Sequence, residues 1–286
     1  MKILIVGGTR FFGIPMVNTL IAHGHDITIA TRGNRPLPFE GAVKHVTMDR
    51  TDPQSVKNAL AGRFFDLIID KVAYSSNDVK HLLEHVSSEC YIQMSTCSVY
   101  KDAHTDITED EFDAETYPLV WTERTEDYGE VKRQAERAVY EYVQREKCAF
   151  IRYPVVMGEH DYTGRLAFYV DHIRNGIPMK LEGEDSLTSF IHEREAGEFI
   201  AYLSEHFVSG PVNGCSRGAL RISELISHIE EKLGKKAVIN EKGDPAPYNT
   251  DEGDMTFSTH KAESVGYRFS DISAWIYGLI DTLCAQ

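Results

Sequence analysis

The stretch MKILIVGGTRFFG, residues 1–13, decides the fold class of this chain. Its residues 2–6 are a short apolar run rich in Ile and Val, which suits a strand buried on both faces of a parallel sheet. Glycines follow at positions 7, 8 and 13, and residues 14–23 then have apolar side chains at helical spacing. A strand, a glycine turn and a helix place backbone N–H groups at a helix N-terminus, where a pyrophosphate binds favourably.

The glycine spacing departs from the usual dinucleotide fingerprint, G-x-G-x-x-G. Gly7 and Gly13 match its ends, but Arg10 and Phe11 stand where a middle glycine is expected. The alternative interpretation is an ordinary strand–turn–helix unit without a ligand. The stretch alone favours the pyrophosphate site over the unit without a ligand. Residues further along the chain are needed to distinguish the two interpretations.

Composition and charge exclude several classes of protein. Hydrophobic residues make up 42% of the chain and charged residues 26%, which is typical of soluble globular proteins. The chain has no apolar run long enough for a membrane span or a signal peptide, so the cytoplasm is the expected location. The five cysteines lack paired spacing, and the sequence predicts no metal site and no disulfide framework. The net charge of −14 disfavours nucleic acid and anionic membranes as partners, and it means that an anionic cofactor needs a local basic site.

Strand-like and helical patterns alternate through the first half of the chain. Strands are predicted at residues 2–6, 26–30, 43–48, 66–70, 90–95 and 150–156, and helices at residues 14–23, 52–61, 77–86 and 128–145. This alternation indicates an α/β fold with a doubly wound parallel sheet of the Rossmann type. Ligands bind at the carboxyl ends of such strands, so one crevice is expected to contain Gly7, Arg32, Asp49, Ala73 and Thr96.

The residues after the second strand favour NADP over NAD. At this position an acid meets the ribose 2′-hydroxyl of NAD, whereas an arginine accommodates the 2′-phosphate of NADP. Arg32 and Arg35 follow the strand, residues 31–35 contain no acid, and Arg10 adds a further positive charge in the glycine turn. The alternative is that all three are solvated loop arginines.

The pattern loosens beyond residue 158. We predict a dinucleotide-binding domain at residues 1–158, to which residues 188–217 return, and a smaller C-terminal mixed α/β substrate domain at residues 159–286. Helices are predicted there at residues 165–174, 193–205, 222–233, 258–265 and 272–283. The long acidic segment 101–127 is either a lid over the crevice or a solvated surface excursion.

Thr96, Tyr128 and Lys132 form a candidate catalytic set. Tyr128 and Lys132 are four residues apart, so they lie on one face of the predicted helix. A lysine ammonium one turn away favours the phenolate and is expected to lower the tyrosine pKa from its usual value of about 10. The Thr96 hydroxyl could hydrogen-bond the substrate oxygen while the tyrosine moves a proton and a nicotinamide moves a hydride. The alternative for Tyr128 and Lys132 is a surface pair at helical spacing.

The chain resembles the extended short-chain dehydrogenase/reductases, the group of nucleotide-sugar epimerases and dehydratases. The matching stretches are GGTRFFG (7–13), Asp49-Arg50, STCSVY (95–100), YGEVK (128–132), RYPVVMG (152–158) and FIHEREAGEFI (190–200). The resemblance covers nearly the whole chain and is specific for the superfamily rather than for one reaction.

The resemblance implies a role for each matching position. Tyr128 would be the acid/base, Lys132 would also bind the nicotinamide ribose, and Thr96 would be the hydroxyl partner. The implied cofactor-binding residues, for NAD or NADP, are Gly7, Gly8, Thr9, Arg10, Phe11, Phe12, Gly13, Arg32, Asp49, Arg50, Ala73, Lys132, Tyr153 and Val155. Weaker substrate-side candidates are Arg165 and His192, which could contact a diphosphate or a sugar.

Departures from the family pattern reduce the number of candidate reactions. The dehydratases carry an Asp-Glu pair after the threonine, whereas this chain has Cys97-Ser98, which disfavours dehydration. We interpret Cys97 as a small buried residue. The GGTR form of the loop resembles a divergent subgroup whose relatives include RNA-binding proteins, and the acidic charge argues against that partner.

Three functions therefore stay open. The first is an NAD(P)-dependent epimerase or oxidoreductase that acts on a hydroxyl or carbonyl group, for which a nucleotide sugar is the candidate substrate. The second is a non-catalytic dinucleotide-binding or regulatory protein, and the third is an RNA-binding protein. The sequence leaves the oligomeric state open between a monomer and a homodimer.

Overall fold

The computed structural model describes residues 1–39, 41–248 and 253–286. In chain order its strands are β1 (Lys2–Val6), β2 (Asp26–Thr31), β3 (Lys44–Thr47), β4 (Arg63–Asp70), β5 (Val86–Thr96), β6 (Cys148–Tyr153), β7 (Val155–Met157), β8 (Met179–Lys180), β9 (Leu187–Thr188), β10 (Phe190–His192), β11 (Gly210–Asn213), β12 (Leu220–Arg221) and β13 (Asp244–Pro245). The α-helices are α1 (Gly13–Ala22), α2 (Pro53–Leu60), α3 (Ser76–Leu83), α4 (Tyr128–Val139), α5 (Arg165–Asn175), α6 (Glu193–Glu205), α7 (Ile222–Leu233), α8 (His260–Ser264) and α9 (Ile276–Ala285). None of the helices in these ranges combines the length and apolar character that crossing a membrane requires.

Seven parallel strands form the central sheet, in the order β11-β6-β5-β4-β1-β2-β3. Alternate residues of β1 pack on opposite faces because successive strand side chains point to opposite sides. Ile3 and Ile5 belong to the core beneath α1 and α6, whereas Leu4 and Val6 belong to the core beneath α2, α3 and α4. The predicted doubly wound α/β fold is confirmed.

Residues from the C-terminal part of the chain contribute to the central sheet and to the helices packed on it. Strand β11 extends the central sheet by pairing with β6, and α6 packs on α1. Helices α5, α7 and α9 surround a separate apolar core that includes Leu166, Leu225 and Ile276. The division into two domains at residue 158 stays a prediction.

Several predicted boundaries are wrong. The predicted strand at residues 150–156 is two strands, β6 in the central sheet and β7, which pairs with β10. Helix α3 ends at Leu83, and β5 begins at Val86 rather than at residue 90 because its first residues pair with the start of β4. Helix α4 ends at Val139 rather than at residue 145, and Tyr140 then packs its ring against Phe150.

Residues 120–122 of the long segment 101–127 lie along the outer surfaces of α3 and α4. The Val120 N–H donates to Gln134 of α4 at 2.7 Å, and the Thr122 N–H donates to Ser76 of α3 at 2.8 Å. The ring edge of Trp121 packs near Tyr142 beyond the end of α4. These contacts hold the apolar part of the segment against the helices rather than over the crevice.

Candidate active site

A cavity of about 400 Å³ lies at the carboxyl edge of the sheet, where the order of strands reverses between β1 and its neighbours β2 and β4. We call it the glycine-loop cavity. Its wall contains nine of the predicted cofactor-binding residues, namely Gly7, Gly8, Thr9, Arg10, Phe11, Phe12, Arg32, Asp49 and Arg50. The predicted crevice therefore exists, and its position is the one at which open α/β sheets bind ligands.

The glycine turn leaves backbone N–H groups available to a ligand. Gly7 and Gly8 have φ values of 90° and 85°, a region that side-chain-bearing residues rarely adopt. Within the described chain, residues 8–12 donate no backbone hydrogen bond to another residue, whereas Gly13 N–H donates to Arg10 O at 3.0 Å. Such amides at the start of α1 suit an anionic group.

Gly13 has a packing role and does not line the cavity. A Cβ atom on Gly13 would lie 2.6 Å from the carbonyl oxygen of Gly8, so a side chain here would push the helix away from the turn. The direct cofactor contact expected at Gly13 stays a prediction. The residue lets α1 begin immediately against the loop.

Lys71 is a cation of the glycine-loop cavity that the sequence analysis did not single out. It follows β4, and its Nζ lies 3.4 Å from the centroid of the Phe12 ring. Burial lowers the pKa of this ammonium to about 7. A partly desolvated ammonium beside free backbone amides is suited to a phosphate group.

The arginines of the glycine-loop cavity differ in their surroundings. The Arg10 guanidinium stacks 3.6 Å above the ring of Tyr162, a cation–π contact. Arg32 is exposed and, together with hydrogen bonds from Thr51, lowers the pKa of Asp49. Arg35 is exposed and lies outside the cavity wall, so Arg32 is the arginine after β2 that a ligand in the cavity could meet.

Two further predicted cofactor residues serve mainly internal contacts. Arg50 reaches the cavity wall, but its buried guanidinium forms an ion pair with Asp70 at 2.5 Å and donates to the carbonyl oxygen of Asp78. Ala73 is fully buried and lines neither cavity described here, because its neighbours Val72 and Tyr74 take the wall positions. The direct cofactor contact expected at Ala73 stays a prediction.

A second cavity, of about 420 Å³, adjoins the first, and we call it the tyrosine cavity. It contains the predicted Thr96, Tyr128, Tyr153, Val155 and Arg165. The two cavities share a wall formed by Phe11, Phe12, Tyr74, Met94 and Tyr162. The glycine loop and the candidate catalytic residues therefore line two neighbouring cavities, which we together call the cleft.

Thr96 and Tyr128 meet inside the tyrosine cavity. Thr96 ends β5, Tyr128 is the first residue of α4, and both line the tyrosine cavity. Although 43% of Tyr128 is exposed, desolvation of its hydroxyl, reinforced by Tyr74, raises its pKa to about 12, and the nearby Thr96 hydroxyl and the Arg165 charge oppose the rise. The expected net lowering of this pKa is wrong, because desolvation outweighs the nearby donors and cations.

Lys132 lies behind the wall rather than in either cavity. Its Nζ is fully buried and donates to the carbonyl oxygens of Ala73 and Met94, both at 2.7 Å. Burial lowers the pKa of Lys132 to about 8. Its ammonium therefore joins the segments after β4 and in β5, and the expected contact with the nicotinamide ribose stays a prediction.

The two substrate-side candidates behave differently. Arg165 begins α5 and lines the tyrosine cavity, where its Nε donates to the Thr163 hydroxyl at 2.9 Å. His192 lies outside both cavities and caps α6 by accepting the Arg194 N–H at 3.2 Å. Its ring packs 5.2 Å from that of Trp275, and a substrate contact at His192 stays a prediction.

Other wall residues of the cleft carried no sequence signal that we recognised. Tyr74 and Tyr162 line both cavities, and Arg124 lines the glycine-loop cavity. Arg124 comes from the segment 101–127 and lies 4.6 Å from the centroid of the Tyr74 ring. These residues stand in three loops that are distant in sequence, so only the tertiary fold brings them together.

Family comparison gives a match over most of the chain. The model of the NAD dependent epimerase/dehydratase family matches residues 3–86 and 79–215. The chain belongs to this family. The resemblance drawn from the sequence motifs is thereby confirmed, as is the expectation of an NAD-dependent enzyme of epimerase or reductase type at the level of the family.

Curated relatives match over shorter stretches. The chain is 34% identical over 113 residues to the chloroplast stem-loop binding protein of 41 kDa b of Arabidopsis thaliana, and that alignment covers 35% of this chain and 30% of the relative. It is 28% identical over 78 residues to the 2′-dehydrokanamycin reductase of Streptomyces kanamyceticus, over 27% of this chain and 22% of the relative. The alignments thus span less than a third of either relative.

Solved structures share the whole fold. The UDP-glucuronic acid 4-epimerase of Bacillus cereus, solved with UDP-glucuronic acid and NAD, superposes with a TM-score of 0.73 at 16% identity and covers 99% of both chains. The UDP-glucose 4-epimerase of Thermus thermophilus, solved with NAD, gives a TM-score of 0.69 at 18% identity and covers 100% of this chain and 98% of its own. At these identities the likeness establishes the fold.

Proposed function

We propose that the protein is an NAD(P)-dependent epimerase or oxidoreductase that acts on a hydroxyl or carbonyl group of a nucleotide sugar. The observation that carries the proposal is that Thr96 and Tyr128 line one cavity, which shares part of its wall with the glycine-loop cavity. A binding protein without chemistry has no need of these two hydroxyl groups together beside the glycine-loop cavity.

Tyr128 would exchange a proton with the substrate oxygen, and Thr96 would hold that oxygen in place. Because its pKa is about 12, Tyr128 keeps its proton at neutral pH and is ready to donate it to a carbonyl group that is being reduced. The bound nicotinamide would supply or accept the hydride. In the oxidation direction Tyr128 must lose its proton, and the positive charge of Arg165 favours that loss.

The glycine-loop cavity fits a dinucleotide. Its backbone amides and the Lys71 ammonium could bind the pyrophosphate, and Asp49 lies where the resemblance expects an adenine contact. Arg32 lines the cavity, and residues 31–35 at the end of β2 contain no acid. Both features support NADP as the preferred cofactor. The related structures solved with NAD support the dinucleotide class itself.

The substrate proposal has two supports. The structural neighbours include an epimerase solved with UDP-glucuronic acid, a nucleotide sugar. Arg165 places a guanidinium on the wall of the tyrosine cavity, where a diphosphate could meet it. Cys97 and Ser98 follow Thr96 in place of the acidic pair of the dehydratases, so we propose epimerisation or reduction rather than dehydration.

A Tyr128→Phe variant tests the proposal, with Tyr142→Phe as the matched control. Tyr142 packs near Trp121 and lies outside both cavity walls. Nucleotide sugars are screened for epimerisation and for redox change of the nicotinamide. Loss of the phenolic hydroxyl should lower kcat about a hundredfold or more while cofactor affinity stays unchanged, and the control should match the unmodified protein.

Three outcomes would contradict the proposal. Unchanged turnover in Tyr128→Phe would exclude this tyrosine as the acid/base. Tight cofactor binding without turnover of any sugar by the unmodified protein would favour the non-catalytic alternative. Tight, sequence-independent binding of a structured RNA at moderate salt would instead favour the function named for the chloroplast relative.

A further inference from the structure

Two histidines converge at the amino edge of the sheet, on the opposite side from the cleft. Helix α1 ends at Ala22, and Gly24 adopts a φ of 78°, which turns the chain toward β2. The N–H of His25 then donates back to the carbonyl oxygen of Leu20 at 3.2 Å. This turn places the rings of His23 and His25 close to each other.

Glu205 brings a carboxylate to both rings. It is the last residue of α6, and its Oε1 lies 2.9 Å from His23 Nδ1 and 2.8 Å from His25 Nε2. The hydrogen bonds from the two histidines lower the pKa of Glu205 against the opposing effect of burial. Both imidazoles therefore contact the same oxygen of an ionised carboxylate.

The backbone holds this arrangement in place. Helices α1 and α6 pack so closely that a Cβ on Gly197 of α6 would lie 2.5 Å from the carbonyl oxygen of Phe12. His25 has only 10% of its side chain exposed, whereas His23 has 47% and Glu205 has 28%. The group is thus anchored on one side and reachable from solvent on the other.

We propose that His23, His25 and Glu205 bind a single zinc ion. The three ligand atoms lie within 4.8 Å of one another. A tetrahedral zinc ion with bonds of about 2.0–2.2 Å needs its ligand atoms roughly 3.3 Å apart, so small side-chain movements complete the site. Two imidazole nitrogens and one carboxylate oxygen suit zinc, whereas magnesium and calcium prefer oxygen ligands alone.

The zinc ion would stabilise the pair of helices that supports the glycine loop. His23 and His25 follow α1, which begins directly after the glycine loop, and Glu205 ends α6. A metal bond across these two ends joins segments that are 180 residues apart in sequence. The site lies away from Thr96 and Tyr128, so its role is structural rather than catalytic. Solvent can supply the fourth ligand because His23 and Glu205 are partly exposed.

Zinc titration of the full chain tests the proposal. The protein is freed of any histidine tag, treated with a chelator and titrated with zinc chloride in a calorimeter, and its Tm is measured with and without zinc. We expect one zinc ion per chain and a higher Tm in its presence. His25→Ala and Glu205→Gln should each weaken zinc binding at least about tenfold. Removing a residue that only hydrogen-bonds to a metal ligand already costs about tenfold or more in metal affinity, so removing a ligand should cost at least as much.

His206→Ala is the matched control. His206 follows Glu205 directly, but its ring stacks on Tyr202 and its Nδ1 lies 3.1 Å from the carbonyl oxygen of Tyr202. This variant should bind zinc as the unmodified protein does. The proposal is overturned if the unmodified protein binds no zinc, or if Glu205→Gln, which keeps the size of the side chain, binds zinc with unchanged affinity. The three residues would then form a hydrogen-bonded cluster alone.

Discussion

Replacing Lys71 with methionine should remove a pH dependence from cofactor binding. Methionine keeps the length of the side chain and its contact with Phe12 but removes the charge. Burial lowers the pKa of Lys71 to about 7, so near neutral pH the free protein is a mixture of charged and neutral forms. A pyrophosphate in the glycine-loop cavity should bind the charged form more tightly.

The expected magnitude follows from this pKa. Lys71 is fully charged well below pH 7, and its charged share falls from about a half at pH 7 to about a tenth at pH 8. The affinity of the unmodified protein for NADH should therefore fall about fivefold between these two values. NADH is the appropriate probe because it lacks the 2′-phosphate, which itself titrates near pH 6.

The assay is a fluorescence titration of NADH between pH 6 and pH 9. Lys71→Met should bind NADH more weakly than the unmodified protein at pH 6 and should lose the decline between pH 7 and pH 8. Lys57→Met is the control, because Lys57 is exposed on α2 and lies outside both cavity walls. Equal binding by Lys71→Met and the unmodified protein at pH 6 would refute the assignment of Lys71 to the cofactor phosphates.

Two further substitutions test the cofactor preference and the glycine loop. Arg32→Ala should weaken NADPH binding about tenfold through loss of a charge-assisted hydrogen bond, without affecting NADH, whereas Arg35→Ala should change neither affinity. Equal losses for both cofactors in Arg32→Ala would contradict the preference for NADP. Gly13→Ala should destabilise the fold by about 1–3 kcal/mol in urea unfolding, because the new Cβ meets the loop backbone at 2.6 Å. Gly278→Ala, in α9 with no atom near the added Cβ, should instead raise stability by about 0.5–1 kcal/mol, and equal effects of both changes would contradict the packing argument.

The sheet could be predicted because most of its strands are apolar runs in the sequence. Residues 3–6 and 67–69 are buried and rich in Ile, Leu and Val, and their predicted positions agree with β1 and β4. The start of β5 could not be found in this way. Ser87, Ser88 and Glu89 are polar and partly exposed, and backbone pairing with β4 makes them a strand. Backbone hydrogen bonds between distant segments do not depend on side-chain type, so the local pattern of apolar and polar residues does not reveal them.

The candidate site was predictable where a motif fixes both residue type and spacing. Thr96 and Tyr128 carry such a signal, and the structure brings them together. Lys71 and Tyr162 carry none, since their positions on the cavity wall depend on how separate loops meet. The pKa of Tyr128 shows the same limit, because spacing reveals the nearby cation but not the degree of burial.

The proposed zinc site shows why ligand spacing alone was insufficient. His23 and His25 are visible in the sequence as a histidine pair, but Glu205 lies at the end of α6 and meets them only through helix packing. The prediction of no metal site depends on cysteine spacing, and cysteine spacing carries no information about two histidines and a distant glutamate.

A crystal structure with bound NADP tests the central claim most directly. The account predicts that the pyrophosphate lies against residues 8–12 and Lys71, with the nicotinamide ring at the shared wall next to Tyr128 and Thr96. The 2′-phosphate should contact Arg32. A nicotinamide ring bound outside the cleft, or one separated from the Tyr128 hydroxyl by the wall residues, would contradict the account.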